Sequence, residues 1–133
     1  MSTTRKTGQE KLVICIEDEP ELIGLIRLIL GRAGYRVLGV SDGEAGLKMT
    51  REMQPDLVLL DLASSETDNW ELYWQMKEDA ELKDIPVVVV TVGSSFADRR
   101  HALESAKVDG YVVKPFRLED LLLNVQRVFN ASS

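Results

Sequence analysis

Five short apolar runs recur along the chain, at Leu12 to Ile16, Val37 to Val40, Leu57 to Leu60, Val87 to Val90 and Tyr111 to Val113, each bounded by polar or turn-forming residues. Runs this short suit strands better than helices. Most are nearly unbroken in Val, Ile and Leu rather than alternating, the pattern of parallel strands covered on both faces. Between them lie segments of helical spacing. Residues 19–33 put Leu22, Leu25, Ile26, Ile29 and Leu30 on one face, with Pro20 near the start and Gly34 just beyond the end. Residues 43–53 carry Ala45, Leu47 and Met49 between polar positions, and Asn69 to Asp79 turns Leu72, Tyr73 and Met76 one way. Residues 95–107 are thinly apolar, with Phe96, Ala97, Ala102, Leu103 and Ala106, whereas 117–130 repeats Leu118, Leu121, Leu122, Val125 and Val128 clearly.

Strict alternation of strands with helices predicts a doubly wound α/β domain, a five-stranded parallel sheet with helices on both faces, because successive parallel strands need right-handed crossovers. At 133 residues the chain fits one domain. The domain is expected over 11–130, between a polar, flexible tail at 1–10 and a short tail at 131–133. No linker or internal repeat divides it.

In such sheets chemistry collects at the carboxyl ends of the strands. Those ends read "CIEDEP", "LLDLA", "VVTVG" and "VVKPF", which supply Glu17 and Asp18, Asp61, Thr91 and Lys114. Each has an ordinary structural reading: Asp18 with Glu21 as a capping box around Pro20, Asp61 as a strand terminator, Thr91 as a strand former, Lys114 as a surface residue before Pro115. As a set they place polar residues at one rim from four of the five strands. Three clustered carboxylates repel one another and invite a hard divalent cation such as Mg2+, which prefers oxygen ligands. A metal there would neutralise an incoming phosphoryl group and let Asp61 attack phosphorus, with Thr91 and Lys114 binding phosphoryl oxygens.

Net charge adds little to that picture but excludes one class. At -6 the chain lacks the clustered Lys and Arg that a nucleic-acid surface requires, "DRR" at 98–100 being its densest basic spot. Cys15, the only cysteine, lies within "LVICI" and reads as a small core residue compatible with a reducing cytoplasm. The start "MSTTRKTGQE" has no apolar signal region and no run approaches a membrane span, so a cytoplasmic location is expected. His101, the only histidine, reads as solvated. Trp70 and Trp74 lie one turn apart and read as a covered core edge or an exposed partner patch.

With "LVICIEDEP", "PDLVLLDL" followed by "DNWEL", "IPVVVVT" and "DGYVVKPF" in one alternating frame, the sequence resembles the receiver domain of two-component response regulators over residues 11 to 130. The resemblance implies the flavodoxin-like (βα)5 receiver fold and makes Asp61 the phosphoacceptor. It implies Mg2+, or Mn2+, held by Asp18 and Asp61, by Glu17 directly or through water, and by the backbone carbonyl of Ala63. Thr91 and Lys114 would bind the phosphoryl group, and Tyr111 occupies the switch aromatic position. The implied partners are a sensor histidine kinase or phosphotransfer protein, a downstream protein read by the fourth helix, fifth strand and fifth helix, and a second copy in a phosphorylation-linked dimer. Such a bacterial signalling domain is not an enzyme on a separate substrate; it undergoes self-directed phosphotransfer and autodephosphorylation.

Several positions depart from the family. Met-Pro is replaced by Ser64 and Ser65, the usual Asp-Gly by Asp68 and Asn69, and the small residue after the threonine by Val92. Asn tolerates a left-handed backbone, so Asn69 reads as a mild change for Gly; the missing proline leaves the Asp61 loop more freedom. Val92 borders the expected phosphoryl pocket, and with Ser64 and Ser65 it motivates a phosphorylation-independent receiver as a rival reading. A second rival, a phosphohydrolase with Asp61 as nucleophile, needs a general acid two residues later, where Ala63 stands. If Ser133 is the natural end, the protein acts through partners alone; in a longer chain an output domain would follow.

Overall fold

The computed structural model describes residues 10–62, 69–92 and 100–132. Strands β1 (Leu12–Ile16), β2 (Arg36–Val40), β3 (Leu57–Asp61), β4 (Val87–Val92) and β5 (Gly110–Lys114) alternate with helices α1 (Pro20–Arg32), α2 (Gly43–Met53), α3 (Trp70–Glu78), a π-helical segment α4 (His101–Ser105) and α5 (Leu118–Ser132). All pairings are parallel, in the order β2-β1-β3-β4-β5. The chain therefore winds outward from β1 in both directions, and the switch point falls between β1 and β3. Residues Phe96 and Ala97, and the tail at 1–9, lie outside the described residues.

Strand alternation divides the core in two. Val13, Cys15, Leu57, Leu59, Val88, Val90 and Val112 face α1 and α5, meeting Ile26, Leu30, Leu121, Val125 and Val128. Ile14, Ile16, Val58, Leu60, Val87 and Val89 face the other way, onto Leu72, Tyr73, Met76, Ala102 and Ala106. Both layers are sealed, which is why the strands carry apolar residues at every position. Cys15 is buried in the first layer as a core residue, its thiol pushed up to about 12 by burial and then by the charges of Glu17 and Asp61.

Two helices turn differently from their apolar spacing. In α2 the buried positions are Gly46 and Thr50, whereas Ala45 is exposed. A Cβ at Gly46 would lie 2.7 Å from the Ile16 side chain, so glycine lets the helix approach the end of β1; the Thr50 hydroxyl donates back to the Gly46 carbonyl at 2.7 Å. In α1, Leu25 is 46% exposed rather than buried, and it lines a cavity of about 500 Å³ with Leu22, Val92 and Phe116. That helix ends as expected at Gly34, φ 96°, where Gly34 N donates to Gly31 O and Tyr35 N to Leu30 O.

Trp70 packs against the core, edge-on to Tyr73 and to the exposed His101, while Trp74 remains 39% exposed. Covered edge and exposed aromatic are thus divided between the two tryptophans.

Candidate functional site

Beyond the last core residue of β1 come Glu17 and Asp18; the last residue of β3 is Asp61, and of β5, Lys114. Because β1 and β3 are neighbours, their terminal acids are brought together across the switch point. Oxygens of Glu17, Asp18 and Asp61 all lie within 4.8 Å of one another, and among the described residues no other group of three metal-type side chains forms. His101 has no part in it.

Glu17 and Asp61 are deeply buried and Asp18 half-buried. Glu17 and Asp61 side chains are each 2% exposed, and the Lys114 ammonium lies 3.2 Å from Glu17 Oε1 and 3.4 Å from Asp61 Oδ2. Lys114 is only 14% exposed, so the surface reading of that residue is corrected: the β5 register opposite β4 carries it into the site. One ammonium is shared between two buried carboxylates. The Glu17 carboxyl consequently titrates at about 7 rather than 4.5, raised by burial first and by the Asp61 charge second, with Lys114 only partly offsetting them. For Lys114 itself, burial works to lower the pKa, but Glu17, Asp61 and Glu19 together outweigh it and the ammonium is held above its ordinary range.

The capping-box reading of Asp18 and Glu21 is overturned. The N-cap of α1 is Glu19, whose side chain caps nothing, with Pro20 as the first helical residue. Glu19 instead receives its support from Glu17 Oε2, which accepts the Glu19 amide at 3.3 Å, and its own carboxylate reaches within 3.9 Å of Lys114.

Thr91 is half-buried at the end of β4. By alternation it shares the face of Val87 and Val89, and Tyr111, paired with Val89 and packed against that second core layer, lies two residues back on the adjoining strand. Val92, next along, is 57% exposed and faces the cavity beside Lys114. Ala63, Ser64, Ser65 and Asp68 lie outside the described residues.

Asn69 does not have a left-handed backbone; its φ of −79° and ψ of 4° are ordinary for any residue. It is buried, and its side-chain amide donates to the Asp61 carbonyl at 2.6 Å. Sequence reasoning assigned this contact to no residue, although an asparagine directly before a helical segment signals a side chain available for local hydrogen bonding.

A family model, the response regulator receiver domain, matches residues 13–126. The chain belongs to that family. Receivers of this kind are signalling domains rather than conventional enzymes. The DNA-binding dual master transcriptional regulator RpaA of a Synechocystis species is 32% identical over 114 residues, covering 86% of this chain and 47% of that protein. The DNA-binding response regulator MtrA of Mycolicibacterium smegmatis is 30% identical over 114 residues, with 86% and 48% covered. The receiver chain thus spans about half the length of the curated relatives it matches. Among solved structures, the chemotaxis response regulator CheY4 of Vibrio cholerae superposes with a TM-score of 0.80 at 22% identity, covering 90% of this chain and 99% of that one. The receiver domain of a sensor histidine kinase from Pseudomonas aeruginosa, determined with a magnesium ion coordinated in its active-site cleft, gives 0.79 at 24% identity, with 91% and 98% covered. These likenesses establish the receiver fold. No helix among the described residues is long and apolar enough to cross a membrane.

Proposed function

We propose that this receiver accepts a phosphoryl group on Asp61 and relays it as a change of surface. The observation that carries the reading is the convergence of Glu17, Asp18 and Asp61 within 4.8 Å, with the Lys114 ammonium 3.4 Å from Asp61.

The donor set suits a divalent cation. All three ligand side chains offer hard oxygen, and the Glu17 carboxyl is raised by burial first and by the Asp61 charge second despite the nearby ammonium. Glu17, Asp18 and Asp61 would hold Mg2+ or Mn2+, joined by the Ala63 carbonyl. When bound, the ion supplies charge neutralisation at the phosphoryl oxygens. Asp61 carries the reaction: a carboxylate oxygen attacks phosphorus of a phosphohistidine on a sensor kinase or phosphotransfer protein, the P–N bond breaks, and imidazole leaves. Lys114 stabilises charge on the transferred group, and Thr91 donates a hydrogen bond to another of its oxygens. Hydrolysis by water then returns Asp61 and inorganic phosphate.

Thr91 and Tyr111 lie on one face of adjacent strands, so an inward shift of the threonine opens space into which the aromatic follows. That movement alters the surface of α4, β5 and α5, where a downstream protein or a second copy would dock. In a chain as long as its relatives, the reader would be an attached DNA-binding domain; the receiver itself, net acidic, leaves DNA to that domain. Such a regulator works in the cytoplasm of a bacterial cell, and residues 11–130 form its receiver unit.

The test is incubation with Mg2+ and acetyl phosphate, followed by intact-mass measurement. The wild type is expected to gain one phosphoryl group and Asp61→Asn none. A wild type that gains none refutes the reading.

A further inference from the structure

The residue just before α3 directs its side chain away from that helix. Asn69 occupies the N-cap, where asparagine ordinarily accepts a hydrogen bond from an amide of the first turn. It makes no such cap. Its Nδ2 donates instead to the backbone carbonyl of Asp61 at 2.6 Å, in a position 6% exposed to solvent. The backbone reinforces the link: Asn69 N donates to Leu62 O at 3.1 Å, and Asn69 O accepts Tyr73 N at 3.0 Å, the first turn of the helix. The chain thus forgoes a stabilising helix cap and ties α3 to the last peptide of β3.

Asp61 is where that support matters most. It is the final residue of its strand, so rotation about its backbone would swing the carboxylate relative to Lys114 and the other acids. On the β4 side, Leu62 N donates to Val90 O at 2.9 Å; the Asn69 amide restrains the Asp61 carbonyl itself. We propose that Asn69 is a positioning residue that sets the rate of phosphoryl uptake, its amide fixing the Asp61 peptide and so the line of attack of the carboxylate. The inference rests on Asp61 being the phosphoacceptor. A misplacement of about 1 Å at the attacking atom is enough to slow such a step.

Asn69→Leu keeps the branched outline of the side chain, at greater volume, and removes the donor; Asn69→Gly removes the donor without adding bulk, and glycine is itself tolerated at an N-cap. Phosphorylation by acetyl phosphate at saturating Mg2+ gives the maximal rate and the half-saturating donor concentration separately, and thermal unfolding reports folding. Loss of one neutral hydrogen bond predicts a maximal rate about three- to tenfold lower in both variants, with the half-saturating concentration within about twofold of wild type. A space-filling role would leave Asn69→Leu at the wild-type rate, which overturns the inference, as does wild-type rate in Asn69→Gly. Those results leave phosphorylation of Asp61 standing, whereas a wild type that takes no phosphoryl group overturns both.

Discussion

Replacing Glu17 with glutamine is expected to stabilise the metal-free receiver above neutral pH, the reverse of what breaking a buried ion pair usually does. The Glu17 carboxylate lies 3.2 Å from the Lys114 ammonium, yet burial and the neighbouring Asp61 raise its pKa from 4.5 to about 7. The native protein therefore holds this proton more tightly than the unfolded chain. The resulting stability is fully present below about 4.5 and is lost as pH rises through about 7. A shift of that size corresponds to at most about 3–4 kcal/mol, and to on the order of 1–2 kcal/mol once relaxation and water penetration at the site are counted. Glutamine has no proton to lose. Urea unfolding in EDTA should show the two proteins differing least near about pH 4.5, with Glu17→Gln more stable by on the order of 1–2 kcal/mol at about pH 8. Mg2+ at a hundred times its Kd should add about 2.7 kcal/mol to the wild type and less to the variant, removing the advantage. A Glu17→Gln protein less stable than wild type in EDTA at high pH, by the roughly 3–5 kcal/mol of a broken buried pair, refutes the account of a single ammonium shared by two acids.

Gly46→Ala gains helix propensity of about 1 kcal/mol but forces a methyl to within 2.7 Å of Ile16; overpacking of about 1–3 kcal/mol should prevail, and a rise in melting temperature would contradict it. Tyr73→Phe removes the hydroxyl that donates to the Ala106 carbonyl at 2.7 Å, and denaturant unfolding should register a loss of about 1–2 kcal/mol. Because burial pushes the Tyr73 phenol up to about 12, with the Asp109 charge adding to it, that bond should persist in the folded protein to about pH 10; absorbance titration would reveal earlier ionisation. Cys15, raised to about 12 and buried, should react with thiol reagents at about pH 8 only as fast as the protein opens, and labelling of the native protein at a free thiol's rate would overturn its placement.

The five strands were legible because both faces of the sheet are covered, which turns each strand into an apolar run. Their ends were not, since backbone pairing continues through polar residues: β2 begins at Arg36, β3 takes in Asp61, β4 runs on to Val92 and β5 ends with Lys114. Hydrophobic spacing also misjudged the buried face of α2, where Gly46 and Thr50 carry almost no hydropathic signal and are buried for closeness rather than apolarity. The acids and the lysine of the site could be named from their places after apolar runs. The Asn69 contact could not, because it links residues eight apart through a backbone carbonyl, which has no letter in the sequence.

The two rims of the sheet show how strand direction, rather than residue type, separates the clustered acids from those paired to a neighbouring strand. At the amino rim, Asp56 Oδ2 accepts the Leu12 amide at 2.7 Å while Asp56 N donates to Leu12 O at 2.8 Å. Asp109 does the same for Val87, at 2.8 and 2.9 Å. Each of these carboxylates meets the first amide of an adjoining strand, and each pair locks one strand to its neighbour. At the carboxyl rim the strands present carbonyl oxygens, which repel carboxylates. Glu17 and Asp61 share the Lys114 ammonium, 3.2 and 3.4 Å away, and burial first and the Asp61 charge second raise the Glu17 carboxyl in spite of it. The acids before β3 and β5 meet the first amide of an adjoining strand, whereas at the carboxyl rim Glu17 accepts the Glu19 amide at 3.3 Å and, with Asp61, draws on the Lys114 ammonium.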